Sequence, residues 1–145
     1  MRKAMTFRYQ CMATPEDVRQ LLAAFDGFLL RAHVHREQAE NLRIVAAEAL
    51  NNVAEHAYAG RANGKVGFLC AVGEAGVICR ISDRGGPLDQ LPEGFAPDLS
   101  GSLPEGGFGW FLIRQLATHI RYQRKGARNL LSFAIKQVSE NRTPP

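Results

Sequence analysis

The alternation of hydrophobic and polar positions divides the first part of the chain into one extended segment, two helical segments and a hairpin. Residues 5–13 mix β-favouring and polar types and predict a first strand. Residues 14–32 and 36–58 carry apolar side chains at helical spacing, and Thr14-Pro15 is typical of a helix start. Residues 65–72 and 77–82 are β-rich runs on either side of a glycine-bounded turn, which predicts an antiparallel hairpin.

The second part of the chain begins with a proline-rich stretch. Residues 87–104 contain four of the seven prolines, a density that excludes a regular helix or a central strand. A loop this long is often a lid over an active site, so we expect a lid at about 87–105; a disordered surface insertion is the alternative. A third helix over 108–118 and a closing hairpin, 119–124 with 129–137, follow.

The order of these elements predicts one domain over residues 1–145 with an α/β fold. Its strands are mostly neighbours in sequence, so we expect a two-layer α/β sandwich with a mostly antiparallel sheet and the helices on one face. A length of 145 residues and a hydrophobic fraction of 46% are ordinary for a soluble globular domain. No run is long and apolar enough for a bilayer, so we expect no membrane association and a cytoplasmic protein.

Cysteine usage and charge narrow the function classes. Cys11, Cys70 and Cys79 are an odd count without metal-ligand spacing, and we expect core residues; a regulatory disulfide between Cys70 and Cys79 is the alternative. The net charge of +4 favours an anionic partner. The basic residues are scattered, with a modest C-terminal concentration at Arg121, Arg124, Lys125 and Arg128, and no aromatic residues are interleaved in the way that builds a stacking platform. We therefore expect no nucleic acid, and an anionic nucleotide or an acidic protein explains the charge equally well.

A polar line on the second predicted helix is the first candidate for chemistry. Glu48, Asn52 and His56 stand one helical turn apart, so they are expected to share a face. A carboxylate there can accept a proton from a hydroxyl, and an amide oxygen suits magnesium. An ordinary solvated polar face is the alternative, and Asn51 is the competing amide.

Two glycine-containing segments complete a candidate ATP site. Asp83-Arg84-Gly85-Gly86-Pro87 follows a predicted strand, where an acid can accept the adenine amino proton and glycines let the base approach the backbone. Gly106-Gly107-Phe108-Gly109 opens the third helix, where free amides can bind phosphate. Each segment alone is weak evidence, but together with Glu48 and Asn52 they provide the groups that phosphoryl transfer requires.

These three segments resemble the motifs of the ATPase superfamily that includes gyrase and histidine kinases. The similarity is greatest to the anti-sigma factor serine kinases, whose first motif, Ser-Glu-Ala-x-x-Asn-x-x-x-His, is similar to residues 47–56. Their second motif is similar to residues 83–87, and their third, Gly-Gly-x-Gly-Leu-x-Leu-Ile, to residues 106–113. Trp110 departs from the pattern because it stands where the family usually has leucine.

The resemblance implies a role for each matching residue. Glu48 would be the catalytic base, Asn52 the magnesium ligand that also contacts the nucleotide, and Asp83 the residue that recognises adenine. The glycines at the nucleotide would be Gly85, Gly106, Gly107 and Gly109. The implied cofactors are ATP and Mg²⁺. Arg19 matches a position that the family uses to contact partners.

The implied function is that of an ATP-dependent serine/threonine protein kinase acting as an anti-sigma factor. Its expected partners are an anti-sigma factor antagonist, which is the protein substrate, and a sigma factor that competes for the same surface. The family also implies a homodimer. Three alternatives stay open: a nucleotide-gated binding module that transfers nothing, the catalytic part of a histidine kinase, and a nucleic-acid protein.

Overall fold

The computed structural model describes residues 4–59, 61, 63–87 and 108–135. Strand β1 (Met5–Met12) is followed by helices α1 (Pro15–Arg31) and α2 (Arg36–Asn52) and by a π-helical turn at Val53–Ala57. Strands β2 (Lys65–Gly73) and β3 (Gly76–Asp83) form the first hairpin. Helix α3 (Phe108–Leu116) leads into the second hairpin, β4 (Ala117–Lys125) and β5 (Arg128–Ile135).

All five strands form one antiparallel sheet in the order β1-β2-β3-β5-β4. Along β3 and β5, buried and more exposed side chains alternate, so one face of the sheet is covered and the other is open. The buried faces of α1 and α2 belong to the same hydrophobic core as the covered face of the sheet. The predicted two-layer α/β sandwich is therefore confirmed.

Local sequence signals explain where α1 begins and how the first hairpin turns. The Thr14 hydroxyl accepts a hydrogen bond from the Asp17 N–H at 3.2 Å, and Pro15 occupies the first helical position. In the hairpin, Gly73 pairs with Gly76, whose φ of 132° lies in a region that side-chain-bearing residues avoid. Both features confirm expectations drawn from the sequence.

The core lies between the helices and the covered sheet face. An aromatic cluster joins the two layers at one end, with ring centroids of Phe25 and Phe68 4.9 Å apart and those of Phe7 and Phe28 5.4 Å apart. Cys70 and Cys79 are buried partners on β2 and β3, and both are free thiols. They are core residues, as expected.

Two boundaries differ from the sequence-based predictions. The second helix does not continue as an α-helix to residue 58, because the Tyr58 N–H bonds to the Val53 carbonyl five residues earlier and widens the last turn. The third helix ends at Leu116 instead of 118, and β4 begins at Ala117 with a bulge between Thr118 and Arg121. Pairing of Ala117 and Thr118 with β5 outweighs their helical preference.

The predicted lid at about 87–105 lies almost wholly outside the described residues, as does the predicted end of the last strand beyond residue 135. Within the described part of the chain, no helix combines the length and apolarity needed to cross a bilayer.

Candidate functional site

The candidate site is organised around Asp83, the last residue of β3. Its side chain is buried, and its Oδ1 accepts hydrogen bonds from the Gly85 N–H and from the Asn129 Nδ2, both at 2.8 Å. The Oδ2 atom has no partner among the described residues. Asp83 is thus held through Oδ1, while Oδ2 is available to accept a hydrogen bond from a ligand.

Asn129 on β5 is the centre of the network that holds Asp83. It is 1% exposed, and its Nδ2 also donates to the backbone carbonyls of Gly86 at 2.9 Å and Gly85 at 3.2 Å. Its Oδ1 accepts from the Tyr122 hydroxyl at 2.8 Å and from Arg124 Nη1 at 2.7 Å. One buried amide therefore fixes both the carboxylate and the turn that follows it.

Burial raises the pKa of the Asp83 carboxyl above its ordinary value. The hydrogen bonds from Asn129 and Gly85 and the positive charge of Arg124 act in the opposite direction and limit the shift in pKa. Arg124 also donates to the Gly85 carbonyl at 2.9 Å. The network therefore compensates in part for the removal of a carboxylate from water.

The turn after Asp83 packs directly against the π-helical end of α2. The Gly86 N–H bonds to the Ala57 carbonyl at 2.6 Å, and a Cβ added at Gly85 would lie 2.4 Å from that same oxygen. No side chain fits at position 85, so the glycine is required by this close approach. At Gly86 an added Cβ would be 3.6 Å from the Ala57 oxygen, which leaves normal contact space.

Tyr58 makes a second connection between the same elements. Its hydroxyl donates to the Lys65 carbonyl at 2.6 Å and accepts from the Arg84 N–H at 2.8 Å. The residue therefore joins the end of the helical layer to the start of β2 and to the turn after β3. The position of α2 relative to Asp83 is fixed by backbone contacts and by this phenol.

Glu48, Asn52 and His56, which were predicted to share one face of α2, differ in their exposure. Glu48 is half-buried and Asn52 is 5% exposed, whereas Asn51 and His56 are exposed. Asn52 is therefore the inward amide. His56 is exposed and lies in the π-helical turn that begins after Asn52, so the structure does not bring it together with the buried Asn52 as the regular α-helical spacing predicted.

Asn52 has an unsatisfied donor. Its Nδ2 is buried and has no hydrogen-bond partner among the residues that the structure describes. Buried amide groups normally find a partner, so an acceptor from a bound molecule is a natural explanation. Glu48 lies one turn earlier on the same helix, which places a carboxylate next to this amide.

The remaining predicted site residues lie on three other segments. Gly109 is in the first turn of α3, while Gly106 and Gly107 lie outside the described residues. Trp110 is 5% exposed and belongs to the hydrophobic core. Arg19 is exposed on α1.

Comparison with known proteins shows the family of this chain. The family model of the histidine kinase-like ATPase domain matches residues 11–135, a range that includes α2, Asp83 and Asn129. The chain belongs to this family. It is similar to the serine-protein kinase RsbW of Listeria monocytogenes, with 30% identity over 141 residues that cover 91% of this chain and 90% of the relative.

Two further similarities agree with this family. The serine-protein kinase RsbW of Oceanobacillus iheyensis is 29% identical over 115 residues, covering 75% of this chain and 73% of the relative. The crystal structure of the RsbU and RsbW domains of Rv1364c from Mycobacterium tuberculosis has a TM-score of 0.67 at 16% identity. The match covers 92% of this chain and spans 32% of that longer one, so it shows the shared fold. The resemblance to the anti-sigma factor kinases of the ATPase superfamily is confirmed.

The polar side chains at the candidate site are of the kinds that bind ATP together with Mg²⁺. Among the described side chains, no group of three or more His, Cys, Asp or Glu residues could bind a metal by itself. A hard cation held by one amide takes its other oxygen ligands from phosphates and water, as magnesium does in nucleotide sites. Asn52 would hold the cation, and Asp83 would accept from the adenine amino group.

Sequence reasoning missed Asn129, Tyr122 and Arg124. Asn129 is 46 residues from Asp83 along the chain, and only the pairing of β3 with β5 places it directly opposite. A polar residue at an inward position of an otherwise apolar strand was the available signal, because Asn129, Leu131, Phe133 and Ile135 alternate towards the core.

Proposed function

We propose that this ATPase domain is an ATP- and Mg²⁺-dependent serine/threonine protein kinase that acts as an anti-sigma factor and phosphorylates an antagonist of that activity. The observation that carries the proposal is the buried Asp83 carboxylate, held through Oδ1 and open at Oδ2. The family, and relatives named as serine-protein kinases, support the kinase activity.

The geometry around Asp83 supports its proposed role in recognising the nucleotide base. Oδ2 accepts the amino proton of adenine, a group that guanine does not present at the same position. The bonds from Asn129 and Gly85 fix the direction of the carboxylate before the nucleotide arrives. At Gly85 the Ala57 backbone fills the space that a side chain would take, so that glycine serves the packing of the turn. Gly86 carries no side chain and has normal contact space, so the flat base can lie against the turn there.

The phosphate end of the nucleotide would lie near α2 and the start of α3. The Asn52 amide would hold Mg²⁺, which neutralises the negative charge of the phosphates when it is bound. Backbone amides of Gly106, Gly107 and Gly109 would bind the phosphate oxygens. The buried Nδ2 of Asn52, which lacks an acceptor, supports a polar ligand at this place.

Glu48 would supply the general base. Its carboxylate accepts the proton of a seryl or threonyl hydroxyl as the oxygen of that hydroxyl bonds to the γ-phosphorus of ATP. The bond between the γ-phosphorus and the β,γ-bridging oxygen breaks, and ADP leaves with that oxygen. Glu48 is half-buried on α2, one turn before Asn52, so base and cation ligand lie on adjacent turns.

The partners of this kinase follow from its family. The unphosphorylated antagonist and a sigma factor would compete for one surface that includes the exposed Arg19 on α1, and phosphorylation would release the antagonist. A homodimer and a cytoplasmic location belong to the same proposal. The similar proteins are serine-protein kinases, which supports the serine kinase activity, and the partners are a matter for experiment.

The test is transfer of labelled phosphate from γ-labelled ATP to the antagonist. The wild-type protein should label a seryl or threonyl residue, and Glu48→Gln should abolish the label while ATP binding persists. Glu37→Gln on the same helix is the matched control, because Glu37 is exposed at the first turn, and it should keep full activity. ATP and antagonist binding without any label would show a nucleotide-gated binding module and refute the kinase.

A further inference from the structure

The open face of the sheet, on the side away from the helices, carries several cations. Besides Lys65 at the start of β2, they include the exposed side chains of Arg8, Arg80, Arg121, Lys125 and Arg128. We call these five side chains the cationic face. The five described strands contribute a single carboxylate, Asp83, and its side chain is buried on the helix side of the sheet. The positive charges of the open face are therefore not neutralised by any carboxylate of the described strands.

The strand register places three of these cations in one row. In the row Arg8-Leu69-Arg80-Ser132-Arg121, each residue is the direct cross-strand partner of the next. Arginines thus occupy the first, third and fifth strands of the sheet. Neighbouring strands lie about 4.8 Å apart, so the row presents positive charges roughly 10 Å apart over about 19 Å.

None of the five cations has an ion-pair or hydrogen-bond partner among the described residues. The two ion pairs of the described structure join Arg36 to Glu40 and Arg43 to Asp26, and all four residues are on the helices. Lys125 and Arg128 are direct cross-strand neighbours, an arrangement of like charges that destabilises a sheet. The charges on this face are therefore available to a ligand.

Apolar side chains lie among these charges. Leu69 and Leu130 line, with Arg8, Arg80, Lys125 and Arg128, a groove of about 830 Å³ that crosses the sheet. Ile78, next to Arg80 on the same face, is 54% exposed. A surface that mixes cations with exposed apolar groups gains from a ligand that supplies both carboxylates and apolar contacts.

We propose that the cationic face binds an acidic segment of a partner protein in which carboxylates alternate with apolar side chains. This surface lies on the face of the sheet opposite to the helices, whereas Asp83 is buried on the helix side and Arg19 is on α1. Lys125 and Arg128 lie at the same strand ends as the Asp83 network, but the row of three arginines crosses the middle of the open face. Charge complementarity favours such a segment over a second copy of the chain, because two cationic faces would repel. The absence of aromatic side chains among the open-face positions of the strands disfavours a nucleic acid, which needs bases to stack.

The experiment measures binding of a fluorescent peptide of alternating glutamate and leucine to the full chain by anisotropy. The test variant is Arg8→Gln/Arg80→Gln/Arg121→Gln, and the matched control is Arg31→Gln/Arg36→Gln/Arg43→Gln, which removes the same charge from the helices. The test variant should weaken binding about tenfold and the control less than about twofold, as expected for the loss of three exposed charge contacts. Added salt should reduce wild-type binding, because exposed charges are screened.

Four outcomes would overturn the proposal. The first is no binding of the peptide by the wild-type chain, and the second is equal loss in both triple variants, which would show that only net charge matters. The third is tighter binding, lost in the test variant, of an oligothymidylate or of phosphatidylglycerol vesicles, which would assign the face to a nucleic acid or a membrane. The fourth is dissociation of a wild-type dimer in the test variant alone, which would assign it to a second copy. Thermal unfolding and ATP binding of both variants verify that they are folded.

Discussion

Replacement of Asn129 by alanine tests whether one buried amide holds the adenine side of the site together. The side chain is 1% exposed and bonds to five groups: the Asp83 carboxylate, the carbonyls of Gly85 and Gly86, the Tyr122 hydroxyl and Arg124. Alanine removes all five bonds and leaves a cavity that water fills only in part.

The magnitude follows from which of these groups keep another partner. Asp83 Oδ1 retains the Gly85 N–H, and Arg124 retains the Gly85 carbonyl, so neither charged group is left wholly unpaired. A neutral hydrogen bond contributes about 1 kcal/mol and one to a charged group about 1.5–3 kcal/mol, and losses in one network are not additive. We expect Asn129→Ala to lower the free energy of unfolding by about 3 kcal/mol, a large part of the stability of a domain this size.

Urea denaturation gives this value, and Asn51→Ala is the control. Asn51 is an exposed asparagine, so its replacement should change the free energy of unfolding by less than about 0.5 kcal/mol. A loss below about 1 kcal/mol for Asn129→Ala, with an unchanged denaturant slope, would refute the reasoning. It would mean that water replaces the amide and that Asp83 is not positioned by it.

Three further predictions concern the neighbouring residues. Burial raises the pKa of Asp83, so the native state keeps that proton to higher pH than the unfolded chain and loses stability as the carboxyl ionises. In urea denaturation, the stability of Asp83→Asn relative to wild type should therefore increase as the pH rises above about 4, the usual pKa of an aspartate, and a difference that does not change with pH would refute this. Gly85→Ala should destabilise by about 1–3 kcal/mol because its Cβ meets the Ala57 oxygen, whereas Gly86→Ala should be tolerated; equal thermal shifts would contradict the packing. Tyr58→Phe should lower the unfolding free energy by about 1–2 kcal/mol through the loss of two hydrogen bonds, and no change would show that water replaces the phenol.

Much of the fold was predictable because its signals are local. The cap at Thr14, the apolar spacing of α1 and α2 and the glycine-bounded hairpin each act within a few residues, and the structure has these elements close to the predicted bounds. The α3 to β4 boundary was not predictable in the same way. Ala117 and Thr118 are extended because β5 lies beside them, a partner that a local pattern cannot reveal.

Only those residues of the candidate site that stand in linear sequence motifs were predictable. Glu48, Asn52 and Asp83 stand in motifs that can be read along the chain, and the structure places Asn52 inward, next to a half-buried Glu48. Asn129 and Arg124 act across strands, through pairings between residues far apart in sequence. His56 was predicted on a regular α-helix, but it is exposed in a π-helical turn that the sequence pattern did not reveal.

The cationic face also depends on pairings between strands that are far apart in sequence, which a local pattern does not reveal. Arg121, Lys125 and Arg128 stand in a basic stretch that is visible in the sequence, but Arg8 and Arg80 are far from it along the chain. Side-chain alternation along each strand was visible, but the row of arginines depends on the strand order β1-β2-β3-β5-β4 and on the register of each pair.

The affinity of the full chain for ATP with magnesium, measured by calorimetry before and after Asp83→Asn, tests the central claim most directly. The account predicts that the wild-type chain binds ATP and that the variant, folded and at least as stable at neutral pH, binds it at least about tenfold more weakly, because a charge-assisted hydrogen bond to adenine is lost. Equal affinity in the two proteins would contradict the account, since adenine would then be recognised somewhere other than at Asp83.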